Sequence, residues 1–202
     1  INEFIINSPF EFDRQTILVV PTDLPDVNDP SGRFDEATAE VVRDTCSISG
    51  GGTFVLFTSH RALRRVAELL RADTALPWPL FVQGEDTRTR LLERFVESGS
   101  GLLLGTASFW EGVDVPGRPL RGLIIQRLPF KVPTEPITAA RIEAIERRGG
   151  NSFGEFVLPL AALKLKQGFG RLVRSREDQG AILILDDRIV RKRYGAYLRE
   201  SL

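Results

Sequence analysis

Three short strings in this 202-residue chain carry residue types that could do chemistry. The first is Gln167-Gly168-Phe169-Gly170-Arg171-Leu172-Val173-Arg174. On a helix, at about 100° per residue, Arg171 falls about 40° and Arg174 about 20° from Gln167, so the three polar heads share one face. Phe169, Leu172 and Val173 fall on the other side and would anchor it. An amide and two guanidiniums aimed one way clamp a polyphosphate, and they stabilise the spread negative charge of a phosphoryl-transfer transition state. A solvated basic helix face has the same appearance, so this string alone leaves both readings open.

The second string is Phe57-Thr58-Ser59-His60, where an apolar run passes into a helical pattern. Ser59 is placed to cap that helix. The free N–H groups of a first turn, with a hydroxyl beside them, suit a nucleic-acid phosphate. A plain N-cap has the same look. His60 reads as a bystander. The third string runs from Gly105 through Thr106, Ala107, Ser108, Phe109, Trp110, Glu111, Gly112, Val113 and Asp114 to Gly117. Small and hydroxyl residues after a buried strand let backbone N–H groups approach a phosphate, and Asp114 could accept hydrogen bonds from a ribose. A tight loop with Trp110 buried as core is the structural alternative, and a core role for Trp110 fits either case.

The elements that must position these strings alternate. Strands are expected at Thr16–Val20, Thr53–Phe57, Leu80–Gln83, Gly101–Gly105, Gly122–Gln126 and Ala181–Leu185, all short and apolar. Helices are expected at Glu36–Ile48, with Ala37, Val41, Val42 and Ile48 facing inward, and at His60–Ala72, where Leu63, Val66, Ala67 and Leu70 repeat at helical spacing. Further helices follow an Asp86 cap, span Glu135–Arg148 and Phe153–Leu165, and close the chain. Ser152 and Glu155 have capping-box spacing, and Pro159 should kink that helix. Apolar strands alternating with helices predict an α/β fold, a mostly parallel central sheet with helices on both faces. In such sheets ligands gather at the carboxyl ends of strands, and all three strings are expected at or beside them.

Composition narrows the chemistry. The 27 basic and 27 acidic side chains balance, so nucleic-acid contact must be local rather than a coat of positive charge. One Cys and one His argue against a disulfide framework, an iron–sulfur cluster or a His-based zinc site within these residues. No apolar run approaches the roughly 20 residues that span a bilayer, and no signal-peptide pattern opens the chain, so a cytoplasmic location without membrane contact is expected. The first residue is Ile and no Met occurs, as expected of a segment of a longer chain.

Taken in order, FTSH, GTASFWEGVDVPG and QGFGRLVRS resemble helicase motifs IV, V and VI of the DinG and XPD-like group of superfamily 2. SPF at Ser8–Phe10, VPTDLPD at Val20–Asp26 and RLPF at Arg127–Phe130 strengthen the resemblance, which covers nearly the whole chain. It implies that residues 1–202 form a three-layer RecA-like domain, the second of two in a 5′-to-3′ DNA-unwinding ATPase, with a helical insertion before motif VI. It implies that Gln167, Arg171 and Arg174 face ATP, with Arg174 the first choice for the arginine finger and Arg171 the alternative. Gly112, Asp114 and Gly170 would lie on the nucleotide side. Thr58, Ser59, Thr106 and Ser108 would touch single-stranded DNA.

The phosphate-binding loop G-x-x-x-x-G-K-[ST] and an acidic DEAH-like motif do not occur here. The resemblance places them, with shared ATP and Mg²⁺ and any iron–sulfur cluster, in an N-terminal RecA-like partner domain. The chain alone is then expected to be inactive. Closure of the two halves would bring Arg171 and Arg174 to the terminal phosphate. Two other readings stay open: a non-catalytic nucleic-acid or partner-binding module with a helicase-like fold, and a motor acting on RNA rather than DNA.

Overall fold

The computed structural model describes residues 12–106, 109, 120–170, 172 and 178–202. Among them six strands form one sheet: β1 (Thr16–Val19), β2 (Thr53–Leu56), β3 (Leu80–Val82), β4 (Leu102–Gly105), β5 (Gly122–Ile125) and β6 (Gly180–Ile184). Their spatial order is β1-β6-β5-β2-β4-β3, and every neighbouring pair is parallel. β2 lies inside the sheet, with Phe54 level with Leu103 on β4 and Leu123 on β5.

The helices are α1 (Phe12–Gln15), α2 (Arg33–Ser49), α3 (His60–Ala72), α4 (Arg88–Ser98), α5 (Pro136–Arg147), α6 (Leu158–Phe169), α7 (Arg188–Arg191) and α8 (Tyr194–Glu200). The strands inside the sheet hide both faces, which is why they are almost wholly apolar, while β1 at the edge leaves Ile17, Leu18 and Val19 exposed. Alternate residues feed two cores. Phe54, Leu103, Leu123, Ile125, Ile182 and Ile184 pack against Leu91 and Phe95 of α4, Ala161 and Leu165 of α6, and Leu198 of α8. Val55, Leu102, Leu104 and Ile124 point the other way, against Phe34 and Val42 of α2 and Leu63, Val66 and Leu70 of α3. Each fully buried side chain of this size contributes about 1.5–3 kcal/mol. Three layers therefore form, as the alternation predicts.

Element ends depart from the sequence expectations for local reasons. α2 begins three residues early, because Gly32 adopts the left-handed conformation (φ 86°) ahead of Asp35 and Glu36 in the first turn. Ile48 does not face inward: it is 89% exposed at the end of α2, where Gly50 closes the helix with its N–H on the Cys46 carbonyl. Thr87, not Asp86, caps α4: its Oγ1 accepts from Arg90 N, while Asp86 accepts from Thr87 N. The capping box expected at Ser152 sits one residue earlier. Asn151 Oδ1 accepts from Gly154 N, and Glu155 Oε1 accepts from Asn151 N. Pro159 follows a π-helical turn, Phe153–Val157, in which Leu158 N bonds to the Phe153 carbonyl. That wider turn places Pro159 in the opening turn of α6, where its missing donor costs nothing.

Candidate functional site

Each strand from β2 to β6 delivers a polar residue just past its carboxyl end. Thr58 and Ser59 follow β2, Gln83 follows β3, Thr106 follows β4, Gln126 and Arg127 follow β5, and Asp186 follows β6. Thr58 and Ser59 are exposed. Ser59 caps α3, its Oγ accepting from Ala62 N at 3.2 Å. Thr58 sits in a small cleft with Phe57, Phe130, Lys131 and Lys164. Thr106 is turned inward: its N–H and its hydroxyl both donate to Gln83 Oε1, at 2.6 and 2.9 Å, and the residue is 6% exposed. These bonds tie the ends of β3 and β4 together. Ala107, Ser108, Trp110, Gly112 and Asp114 lie outside the described residues.

A second layer of bonds holds this edge. Gln126 is fully buried and donates from Nε2 to Asp35 Oδ1 at 2.8 Å and to Thr38 Oγ1 at 3.3 Å. Asp186, also fully buried, accepts from Leu128 N at 2.9 Å and from Arg188 Nε at 2.7 Å and Nη2 at 2.5 Å. These bonds hold Arg188 charged and raise its pKa above the usual arginine range. Arg188 also stands over the Phe130 ring at 5.9 Å, and Phe130 packs on Phe153 and Tyr194. The Arg127–Phe130 turn is therefore pinned to the end of β6. None of these anchors was singled out from the sequence. Their only signal there is position: Gln83 and Gln126 are the polar residues that end apolar strands. Phe109 also went unmarked. It is buried edge-to-face on Phe54 (6.0 Å, 72°), so close to Gly105 that a Cβ there would meet its ring at 2.8 Å.

In the third string, α6 ends at Phe169, and Leu172 lies in a turn, its N–H on the Phe169 carbonyl. The described helix thus ends within the string, and Arg171, Val173 and Arg174 lie outside the described residues. Leu172 is buried where a Cβ on Gly180, the first residue of β6, would meet it at 2.8 Å. Leu172 therefore packs at the amino end of β6. The reason is topological: a helix returning between parallel strands delivers the chain to the start of the next one. Gln167 and Gly170 are exposed, and Lys164, about one helical turn before Gln167, lines the cleft of Thr58.

Other chemistry has little support. Cys46 is buried, and burial pushes its thiol up, away from the reactive thiolate. Among the described residues no group of three His, Cys, Asp or Glu side chains is disposed to hold a metal ion, and no helix is long and apolar enough to cross a membrane.

The chain matches the family described as Helicase C-terminal domain over residues 42–202. It is 42% identical over 198 residues to the ATP-dependent DNA helicase YoaA of Escherichia coli K12, covering 98% of this chain and 30% of that protein. It is 40% identical over 200 residues to the ATP-dependent helicase DinG of Mycobacterium tuberculosis H37Rv, covering 98% of this chain and 29% of that protein. It is 37% identical over 201 residues to the 3′-5′ exonuclease DinG of Bacillus subtilis 168, covering 98% of this chain and 22% of that protein. The chain thus spans less than a third of the length of these relatives. Among solved structures it superposes on an XPD helicase with a TM-score of 0.69 at 18% identity, over 92% of this chain and 33% of that one. It also superposes on Saccharomyces cerevisiae Dbp5 bound to RNA and ADP BeF3, with a TM-score of 0.58 at 16% identity, over 94% of this chain and 39% of that one. At these identities the superpositions establish the fold, which is RecA-like.

Proposed function

The chain belongs to the helicase C-terminal domain family, and from that premise we propose that residues 1–202 are the C-terminal motor half of a DinG-type, ATP-dependent 5′-to-3′ DNA helicase. The observation that supports this reading is a pair of exposed hydroxyls, Thr58 and Ser59, just past the carboxyl end of β2, beside a cleft that also holds Lys131 and Lys164. Gln167 and Gly170 are exposed at the end of α6. The hydroxyls can then grip a single strand while the Gln167 string meets a nucleotide.

The roles follow from the chemistry of the groups. Thr58, Ser59 and Ser108 contact the strand backbone, with Thr106 acting through Gln83 to fix the loop that carries Ser108. Gln167 supplies an amide and Gly170 a close-lying backbone, donors suited to a nucleotide's phosphates. Arg174, or in its place Arg171, is the arginine finger, and Gly112 and Asp114 complete that side. ATP hydrolysis supplies the free energy, with Mg²⁺ and phosphate-loop groups contributed by an N-terminal RecA-like domain. Any iron–sulfur cluster belongs to that other part of the protein.

The test uses the full-length protein. Hydrolysis stimulated by single-stranded DNA, with strand displacement from duplexes carrying a 5′ tail, is the expected outcome. Displacement from 3′ tails alone would overturn the polarity. Stimulation by matched RNA but not DNA would overturn the choice of substrate, since only a contact to the 2′-hydroxyl separates the two. A second reading is a non-catalytic nucleic-acid- or partner-binding module with a helicase-like fold. Absence of hydrolysis with either nucleic acid would select it.

A further inference from the structure

Beside Ser59, two adjoining clefts of about 340 and 600 Å³ share the side chain of Arg61. Arg127 lines the smaller one, and Arg64 and Arg65 line the larger. Three carboxylates also reach these clefts, so charge alone decides nothing. Their bonding does decide. Asp29 Oδ1 accepts from Ser31 N at 2.8 Å and Ser31 Oγ at 2.6 Å, its Oδ2 accepts from Arg33 Nε at 2.9 Å, and its pKa is lowered accordingly. Asp35 accepts from the buried Gln126 amide. Glu68 lines only the larger cleft. Arg65 has a partner in Glu36 at 3.6 Å.

Arg61 and Arg64 are left exposed without an ion pair among the described residues. They stand three apart in the opening turns of α3, so both heads project to one side. The first turn of that 13-residue helix adds N–H groups and the positive end of its dipole. Arg127 is held differently. Its guanidinium stands over the Phe34 ring at 5.5 Å, and its Nε is buried with no hydrogen-bond acceptor among the described residues. A buried donor without an acceptor is rare in a native fold, and here its residue borders the smaller cleft together with Arg61.

From this geometry we infer that the cleft of Arg61, Arg64 and Arg127 is a second phosphate seat for a single-stranded nucleic-acid backbone, beyond Thr58 and Ser59. The inference rests on the reading of the carboxyl end of the sheet as the strand-holding face. The strand leaves Ser59 along α3 and sets successive phosphates on the arginines, whose forked donors match phosphate oxygens.

The test measures binding of fluorescent oligothymidylate to the full-length protein across a salt series, comparing the unaltered protein with Arg61→Ala/Arg64→Ala and with Arg61→Lys/Arg64→Lys. Each phosphate contact to a single strand contributes about 0.7 to the slope of log K against log salt. The alanine pair is expected to flatten the slope by about 1.4, and the lysine pair to restore it. An unchanged slope in the alanine pair, or a lysine pair as flat as the alanine pair, overturns the second seat and leaves the motor reading standing. Failure of the unaltered protein to bind oligothymidylate at any salt overturns both.

Discussion

Asp186 is the side chain on which the carboxyl edge of the sheet most depends. It is fully buried, and its charge is satisfied by Leu128 N and the Arg188 fork. Arg188→Ala leaves a buried carboxylate without its counter-charge, an imbalance worth about 3–5 kcal/mol. The expected result is a large fall in the urea midpoint of unfolding, with Arg188→Lys losing less; an unchanged midpoint would show that the pair holds nothing. This pair was not legible in the sequence, because Asp186 reads there as the first polar residue after a strand. Thr106 is a similar case. Its hydroxyl points at Gln83, 23 residues upstream, and only the pairing of β3 with β4 brings them together. Thr58 and Ser59 were legible because one chain segment, strand then cap, decides where they sit.

At the level of the element, Ser59 has two separable roles. As the α3 cap it accepts from Ala62 N, and Ser59→Ala should cost about 1 kcal/mol of stability. Ser59→Asp keeps a good cap and the unfolding midpoint but sets a negative charge against a phosphate. It is expected to retain stability and lose single-strand binding; unimpaired binding would restrict Ser59 to capping. Gly51 marks the opposite edge, with φ 83° and the Ser100 carbonyl oxygen 2.1 Å from where a Cβ would stand. Gly51→Ala should therefore lower the melting temperature by more than the strain of a left-handed residue, about 1–3 kcal/mol, alone requires. Strands and helices were readable because buried parallel strands are continuously apolar and α3 repeats at helical spacing. Caps slipped by one residue at Thr87 and Asn151, because neighbouring polar residues compete for the same N–H groups.

Across the whole molecule, the sheet order β1-β6-β5-β2-β4-β3 sets Thr58 and Thr106 past the carboxyl ends of two adjacent strands, β2 and β4. The resemblance implies strand contact for these residues and ATP contact for Gln167, two events that one domain would couple. The chain is expected to hydrolyse no ATP alone, because the phosphate loop is absent from this sequence. The central claim is that the string from Gln167 to Arg174 serves hydrolysis while Thr58 and Ser59 serve strand binding. The most direct measurement is DNA-stimulated ATP hydrolysis by full-length Arg174→Ala protein, alongside its affinity for single-stranded DNA. Hydrolysis should fall by about 10³ or more with affinity retained. Normal hydrolysis would remove Arg174 and pass the same test to Arg171, and normal hydrolysis in both variants would contradict the account.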